Sequence, residues 1–191
     1  MEILIRWRHR GRYFTPDLSA ALPRRLHRLL LTAFVLQEAV QNINEYPGTF
    51  YFSVNIPSSL ADSDSLLRMV EAARQQLRQP EGVARLVLEY AETIDFRHQS
   101  RSAAHVAQLQ RAGVRVMLDD CFSQGSVIFP ARRLHFNAYK LDMSIVNDAQ
   151  HDPKALALIK AGLLLPVERQ PLCGGRCGFT GEIYAVKIAG D

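Results

Sequence analysis

Polar side chains stand at or near the carboxyl ends of several apolar, strand-like runs of this sequence. They are Asn55, Glu89, Asp119, Asp120 and, within the last run, Lys140. Burying a carboxylate is costly unless it is paired or bound to a metal, so a core strand that ends in two aspartates needs an explanation. Carboxylates together with an amide oxygen are hard ligands that suit Mg²⁺ or Mn²⁺. Two such ions could activate water and stabilise in-line displacement at phosphorus.

A different explanation is available for each of these groups taken singly. Asn and Asp are common at strand ends because their side chains stabilise turns, and each could cap a helix or bridge a loop. The occurrence of all five groups at comparable positions favours a shared site. If the strands are parallel and form a barrel, their carboxyl ends face one mouth, where these groups would converge.

The elements that must position these groups alternate along the chain. Apolar runs typical of strands occupy residues 2–7, 50–55, 85–90, 115–120 and 137–142, and helical patterns occupy 18–45 (one or two helices), 63–79, 97–112 and 152–163. Asp62 or Ser63 is the expected cap of the second helical stretch, and Gly113 is expected to end the third. This alternation predicts an α/β fold with a parallel sheet, as either a (β/α)8 barrel or an open doubly wound sheet. Because no Gly-rich loop follows a strand, Rossmann-type nucleotide binding is unsupported.

Composition favours one soluble globular domain. The chain has 191 residues, of which 48% are hydrophobic and 22% charged, with a net charge of +4. No apolar run reaches the roughly 18 residues of a membrane span, and no signal-peptide pattern follows Met1, so no membrane segment and a cytoplasmic location are expected. Seven arginines fall within the first 28 residues. They suit a solvated loop after a strand, or a phosphate-bearing ligand, better than nucleic acid, because no nucleic-acid-binding motif accompanies them.

The three cysteines do not suggest a disulfide framework, because their number is odd. Cys173 and Cys177 could supply half of a zinc site, but no further ligands are evident. The histidines also lack metal-ligand spacing.

Five segments resemble, in order and spacing, the motifs of EAL-type cyclic-di-GMP phosphodiesterase domains. They are EILIRW (2–7), FSVN (52–55), LEYAET (88–93), DDCFSQGS (119–126) and YKLD (139–142). The family counterparts are E-x-L-x-R-W, an asparagine strand, E-x-x-E, D-D-F-G-x-G and K-x-D. The likeness runs from residue 2 to about residue 164, which predicts a partial EAL domain over 1–164 and a non-family tail over 165–191.

The resemblance implies a (β/α)8 barrel of the TIM type that linearises cyclic-di-GMP to pGpG with two divalent cations, Mg²⁺ or Mn²⁺. By that likeness the ligands of one metal would be Glu2, Asn55, Glu89 and Asp119, and the second metal would be served by Asp119 and Asp120. Lys140 would hold or polarise the attacking water. Arg6 would meet a ligand phosphate, and Glu92 would brace the loop after Asp120. Leu4 would share the inward face with Glu2 and Arg6, because alternate strand residues point the same way.

The sequence departs from the family at both ends and in one loop. Met1 immediately precedes the signature, so the first barrel strand and half of the second are expected to be absent, leaving about five strands. Cys121 and Phe122 do not supply the early glycine of the loop that, in the family, couples dimerisation to metal binding, so this departure predicts impaired activity. A homodimer is one assembly that the resemblance implies. The tail is hypothesised to follow a frameshift near Leu164, because one synonymous coding of the shifted frame reads A-E-G-V, as the family does.

These departures predict a chain that is partly folded in isolation, because open strand edges favour aggregation, and a phosphodiesterase activity impaired by truncation. The alternative is a non-catalytic EAL-like module that binds cyclic-di-GMP or a protein partner. The metal-ligand and lysine positions that this chain retains favour the enzyme.

Overall fold

A computed structural model describes residues 7–9, 12–14, 25–91, 94, 100–122, 134, 136–163, 174–175 and 184–185. The strands are β1 (Trp7–His9), β2 (Arg12–Phe14), β3 (Phe52–Ile56), β4 (Leu86–Ala91), β5 (Arg115–Cys121), β6 (Ala138–Leu141), β7 (Gly174–Gly175) and β8 (Tyr184–Ala185). The α-helices are α1 (Arg25–Glu45), α2 (Asp64–Arg74), α3 (Ser100–Arg111), α4 (Met143–Asp148) and α5 (Pro153–Leu163). Short 3₁₀ helices cover Ser58–Leu60 and Pro80–Arg85.

The main sheet has the strand order β3-β4-β5-β6-β7-β8. Strands β3 to β6 are parallel in chain order, β7 is parallel to β6, and β8 is antiparallel to β7. Helices separate β3, β4 and β5, as parallel neighbours require. The predicted α/β class and the predicted parallel sheet are therefore confirmed.

The two faces of this sheet bury different side chains. On β3, β4 and β5 the alternate residues Phe52 and Val54, Leu86 and Leu88, and Val116 and Leu118 join the large core that the helices cover. The opposite face carries a smaller apolar cluster of Val87, Met117 and Ala138. Because strand residues alternate between faces, Glu89 and Lys140 lie on this second face, each two positions beyond a member of the smaller cluster.

Both predicted caps of the middle helices can be checked. Ser63 is the N-cap of α2, and its side chain accepts a hydrogen bond from the Ser65 N–H (3.3 Å). After α3, Gly113 adopts a φ of +88°, and the Val114 N–H donates to the Leu109 carbonyl (3.1 Å). A Cβ at Gly113 would also stand 2.8 Å from Val83 Cγ1, so the helix stop and the close packing both need glycine.

Helix α2 ends at Arg74, earlier than the predicted 79. The reason is a contact with α1. The Asn44 amide donates to the Gln76 carbonyl (2.9 Å) and accepts from the Arg78 N–H (2.8 Å). The Arg78 N–H is therefore not used to continue the helix, and the Gln76 carbonyl, which in a longer helix would face Pro80 and find no N–H, is satisfied.

Several elements were not predicted, namely helix α4, strand β2, the short strands β7 and β8, and the two 3₁₀ helices. Helix α4 begins directly after β6, where the Asp142 side chain accepts from the Ser144 N–H (2.7 Å) and acts as its N-cap. Strand β2 pairs antiparallel with β1, so the solvated loop expected after the first strand is wrong for residues 12–14. Two residues separate these strands in sequence, which is the commonest hairpin spacing. Of the strand predicted at 2–7, only Trp7 is among the described residues.

Within the described ranges, no helix combines the length and the apolar character needed to cross a bilayer. In the described parts of the tail, the strands are β7 and β8, each of two residues.

Candidate active site

Three charged side chains from neighbouring parallel strands meet at the carboxyl edge of the sheet. Lys140 of β6 places its Nζ 3.0 Å from Glu89 Oε2 of β4. The same Nζ lies 3.2 Å from Asp119 Oδ1 and 3.3 Å from Asp119 Oδ2 of β5. Residues distant in sequence are joined here because parallel strands in register bring their ends to one edge.

Burial makes this ion-paired group costly to separate. Glu89 is 2% exposed, and it belongs to the fully buried side chains of the fold. The Lys140 and Asp119 side chains are 14% and 16% exposed. A carboxylate removed from water to this degree requires a cation or hydrogen-bond donors. Lys140 supplies that cation to Glu89, and its charge also faces Asp119.

A bulge in β5 sets the aim of the two aspartates. Leu118 pairs with Tyr139 and Cys121 pairs with Leu141, so two residues of β5, Asp119 and Asp120, stand opposite one residue of β6. Asp120 adopts a φ of +50°, and its N–H donates to Asp119 Oδ1 (2.9 Å). A bulge of this kind changes the direction of side chains without ending the pairing. It allows Asp119 to face Lys140 while Asp120 is exposed.

The chain after the bulge is strained. Phe122 has a φ of +67°, in the left-handed region that suits glycine. This is the position at which the resembled D-D-F-G-x-G motif carries its first glycine. The backbone shape is thus the one that a glycine would permit, although a phenylalanine occupies it.

Asn55 lies at the same edge of the sheet. It pairs with Glu89 in the register between β3 and β4, it is exposed, and its strand neighbours Val54 and Ile56 belong to the helix-covered core. Its side chain therefore stands on the face that carries Glu89 and Lys140.

All the predicted site residues that the structure describes lie at this edge; they are Asn55, Glu89, Asp119, Asp120 and Lys140. The predicted residues Glu2, Leu4, Arg6 and Glu92 lie outside the described residues, so their roles stay predictions. Sequence reasoning missed the direct pairing of Lys140 with two carboxylates and the bulge that aims them. The signal for the bulge was the doubled aspartate, where the period-two pattern of β5 ends.

The donor set fits hard divalent cations in its chemistry. Carboxylates of Glu89, Asp119 and Asp120 and the amide of Asn55 offer the oxygens that Mg²⁺ and Mn²⁺ prefer. Across the described ranges, however, no three of the His, Cys, Asp and Glu side chains are gathered closely enough to hold an ion. Lys140 provides the positive charge between Glu89 and Asp119 in the structure.

Comparison with known proteins gives one consistent result. The model of the EAL domain family matches residues 1–169. The bifunctional diguanylate cyclase/cyclic di-GMP phosphodiesterase MucR of Pseudomonas aeruginosa is 25% identical over 165 residues, 84% of this chain and 24% of the relative. The solved PaMucR phosphodiesterase, in its c-di-GMP complex, matches with a TM-score of 0.70 and 25% identity over 86% of this chain and 68% of that chain. An EAL domain protein from Listeria monocytogenes matches with a TM-score of 0.71 and 24% identity, over 84% of this chain and 63% of that chain.

These matches decide between the two architectures that alternation left open. The α/β fold with its four parallel strands corresponds to the EAL barrels, so the barrel prediction is confirmed over the open doubly wound sheet. The chain spans 24%, 20% and 24% of the curated relatives that it matches. Those relatives therefore contain much more than the part that is similar to this chain.

Proposed function

The chain belongs to the EAL domain family, and from that premise we propose that it is a phosphodiesterase that hydrolyses cyclic-di-GMP to pGpG. The observation that carries the proposal is the convergence of Glu89, Asp119 and Lys140 at the carboxyl edge of the sheet. In a parallel barrel this edge is the one at which catalytic side chains gather. The product follows from breaking one of the two phosphodiester bonds of the ring by water.

Two Mg²⁺ or Mn²⁺ ions would supply the activation of water and the neutralisation of charge at phosphorus that such hydrolysis needs. The residues proposed to hold them are Glu2, Asn55, Glu89, Asp119 and Asp120. Asn55 and Asp120 are exposed, so their oxygens would bind an ion from the solvent side of the site. Glu89 is buried, so its carboxylate would bind the ion from the inner side.

Lys140 is proposed to orient the attacking water. Its ammonium has three donors, and in the structure it reaches Glu89 and Asp119 within 3.3 Å. A water that accepts from Nζ with one lone pair would donate a proton to Glu89 or Asp119, which leaves its other lone pair for the phosphorus.

Contacts with the ligand itself are proposed for residues near the amino terminus. Arg6 would form charge-assisted hydrogen bonds with a phosphate, and Leu4 would contact the ligand from the same face. Glu92 would brace the loop that follows Asp120.

The test is turnover of cyclic-di-GMP by the purified chain with Mn²⁺, with pGpG separated by chromatography. We expect Lys140→Met to lower kcat by about a hundredfold or more, because a positioned water is lost. Lys154→Met is the matched control, since Lys154 is an exposed lysine of α5, and it should retain the rate. Circular dichroism of both variants verifies that they are folded.

Two outcomes would contradict the proposal. Equal rates for Lys140→Met and the unchanged chain would remove Lys140 from the chemistry. Calorimetric binding of cyclic-di-GMP by the unchanged chain without any pGpG would support the alternative, a non-catalytic module that binds this ligand.

A further inference from the structure

Asn137, the residue immediately before β6, ties that strand to two other elements. Its Oδ1 accepts a hydrogen bond from the Val116 N–H of β5 (2.8 Å) and another from Gln110 Nε2 of α3 (3.0 Å). Its own N–H donates to the Val116 carbonyl (2.8 Å). The side chain thus acts as a substitute for a main-chain carbonyl at the first rung between β5 and β6, and α3 holds it in place.

The hydrogen bonds at Asn137 matter because the bulge in β5 interrupts the regular pairing of β5 with β6 further along these strands. Beyond Asn137, β5 and β6 pair at Met117–Ala138 and Leu118–Tyr139, then the register shifts, and pairing resumes at Cys121–Leu141. An unpaired extra residue lets two alignments compete, and a slip of one residue turns every side chain to the opposite face. Such a slip would move Lys140 to the helix-covered face, away from Glu89 and Asp119.

We propose that Asn137 is a positioning residue that fixes the register of β6 on β5 and thereby holds Lys140 against Asp119 and Glu89. Its importance for turnover rests on the proposed phosphodiesterase function. Its effect on the register does not, and can be measured separately. Strand β6 has only four residues. The hydrogen bonds of Asn137 are therefore a large fraction of those that fix the position of this strand.

The substitutions follow from the acceptor role. Asn137→Asp keeps an oxygen for the Val116 N–H and the Gln110 amide, whereas Asn137→Ala leaves the Val116 N–H without its acceptor. We expect Asn137→Ala to lower kcat by about ten- to a hundredfold with a smaller change in KM, because a displaced catalytic group loses rate more than affinity. Asn137→Asp should restore kcat to within about threefold of the unchanged chain, as the same geometric argument predicts. Asn147→Ala, at an exposed asparagine of α4, is the matched control.

A second measurement needs no catalysis. A double-mutant cycle of Lys140→Met with Asp119→Asn, read from the urea midpoint of unfolding, reports how strongly the two side chains interact. The cycle should show coupling in the unchanged and Asn137→Asp backgrounds and lose it in Asn137→Ala. Hydrogen exchange at the Val116 amide should accelerate in Asn137→Ala alone. If Asn137→Ala does not fold, Asn137→Ser, which keeps a shorter acceptor, takes its place with an intermediate loss expected.

The results separate the two ideas. If the unchanged chain shows no turnover but the coupling is lost in Asn137→Ala and kept in Asn137→Asp, the phosphodiesterase proposal fails and the register role stands. Equal coupling in all three backgrounds, or equal kcat for the alanine and aspartate variants of an active chain, overturns the role of Asn137.

Discussion

At the scale of single residues, Phe122 shows two opposing effects in one side chain. Its left-handed backbone, with a φ of +67°, costs roughly 1–2 kcal/mol for a residue that carries a Cβ. Its ring is partly buried against the main core, which offsets that cost. The side chain and the backbone therefore favour different residues at the same position.

Substitution can separate these two effects. Phe122→Gly and Phe122→Ala both remove the ring, but only glycine also removes the strain. We expect the glycine variant to be the more stable of the two by about 1 kcal/mol in urea unfolding. The control is Ala72→Gly on the exposed face of α2, where glycine should be less stable than alanine by about 1 kcal/mol. The same order at both positions would show that Phe122 is not strained.

The sequence indicated which residues gather at the site but not how they meet. Asn55, Glu89 and Asp119 could be identified because polar groups recur at comparable positions, at or near the ends of several apolar strand-like runs. The pairing of Lys140 with Glu89 joins positions 51 residues apart, and it depends on strand order. The left-handed φ of Asp120 depends on the bulge, which only the neighbouring strand defines.

At the scale of elements, Arg85 links the end of α1 to the start of β4. Its guanidinium donates to the carbonyls of Ile43 (3.0 Å), Tyr46 (2.7 Å) and Phe50 (2.8 Å), and it lies 5.5 Å from the centre of the Phe52 ring. The last carbonyls of a helix have no partner within it. Arg85 satisfies one of them, the Ile43 carbonyl, from a position 42 residues away, and its charge also suits the negative end of the helix dipole.

Removing this guanidinium should loosen α1. We expect Arg85→Ala to lower the free energy of unfolding by about 2 kcal/mol, because several charged hydrogen bonds are lost together. Arg85→Lys should lower the free energy of unfolding by an intermediate amount, because an ammonium lacks the planar arrangement of N–H groups with which the guanidinium reaches three carbonyls. Arg78→Ala, at an exposed arginine, should change stability by less than about 0.5 kcal/mol. Urea unfolding followed by circular dichroism measures all three, and an equal loss for Arg78 and Arg85 would contradict this role.

Element boundaries were predicted well where the signal is local. Ser63 and Gly113 mark a helix start and a helix end through their own chemistry, and both were confirmed. The end of α2 was predicted too late because Asn44, on another helix, occupies the following backbone groups. Periodicity within one segment contains no information about such a partner.

At the scale of the whole molecule, the alternation of strands and helices predicted a parallel sheet but did not distinguish a closed barrel from an open sheet. A barrel and an open sheet share the same local pattern, and they differ only in whether the terminal strands meet. The motif likeness favoured the barrel, and the structural matches confirmed it. The predicted loss of the end strands and the frameshift origin of the tail stay predictions, which the nucleotide sequence around this reading frame would test.

Buried phenols should set the alkaline limit of the whole fold. Burial raises the pKa of Tyr90, which is 0% exposed, and burial also raises the pKa of Tyr139. A raised pKa means that the unfolded chain releases these protons first, so this stability is complete well below pH 10 and declines as the pH rises through and beyond about 10. Tyr90→Phe should make unfolding between pH 9 and about 11 less steep in pH, whereas Tyr46→Phe, at an exposed tyrosine, should not. Thermal unfolding at a series of pH values measures the slope, and identical slopes for the two variants would exclude Tyr90 as a cause of alkaline unfolding.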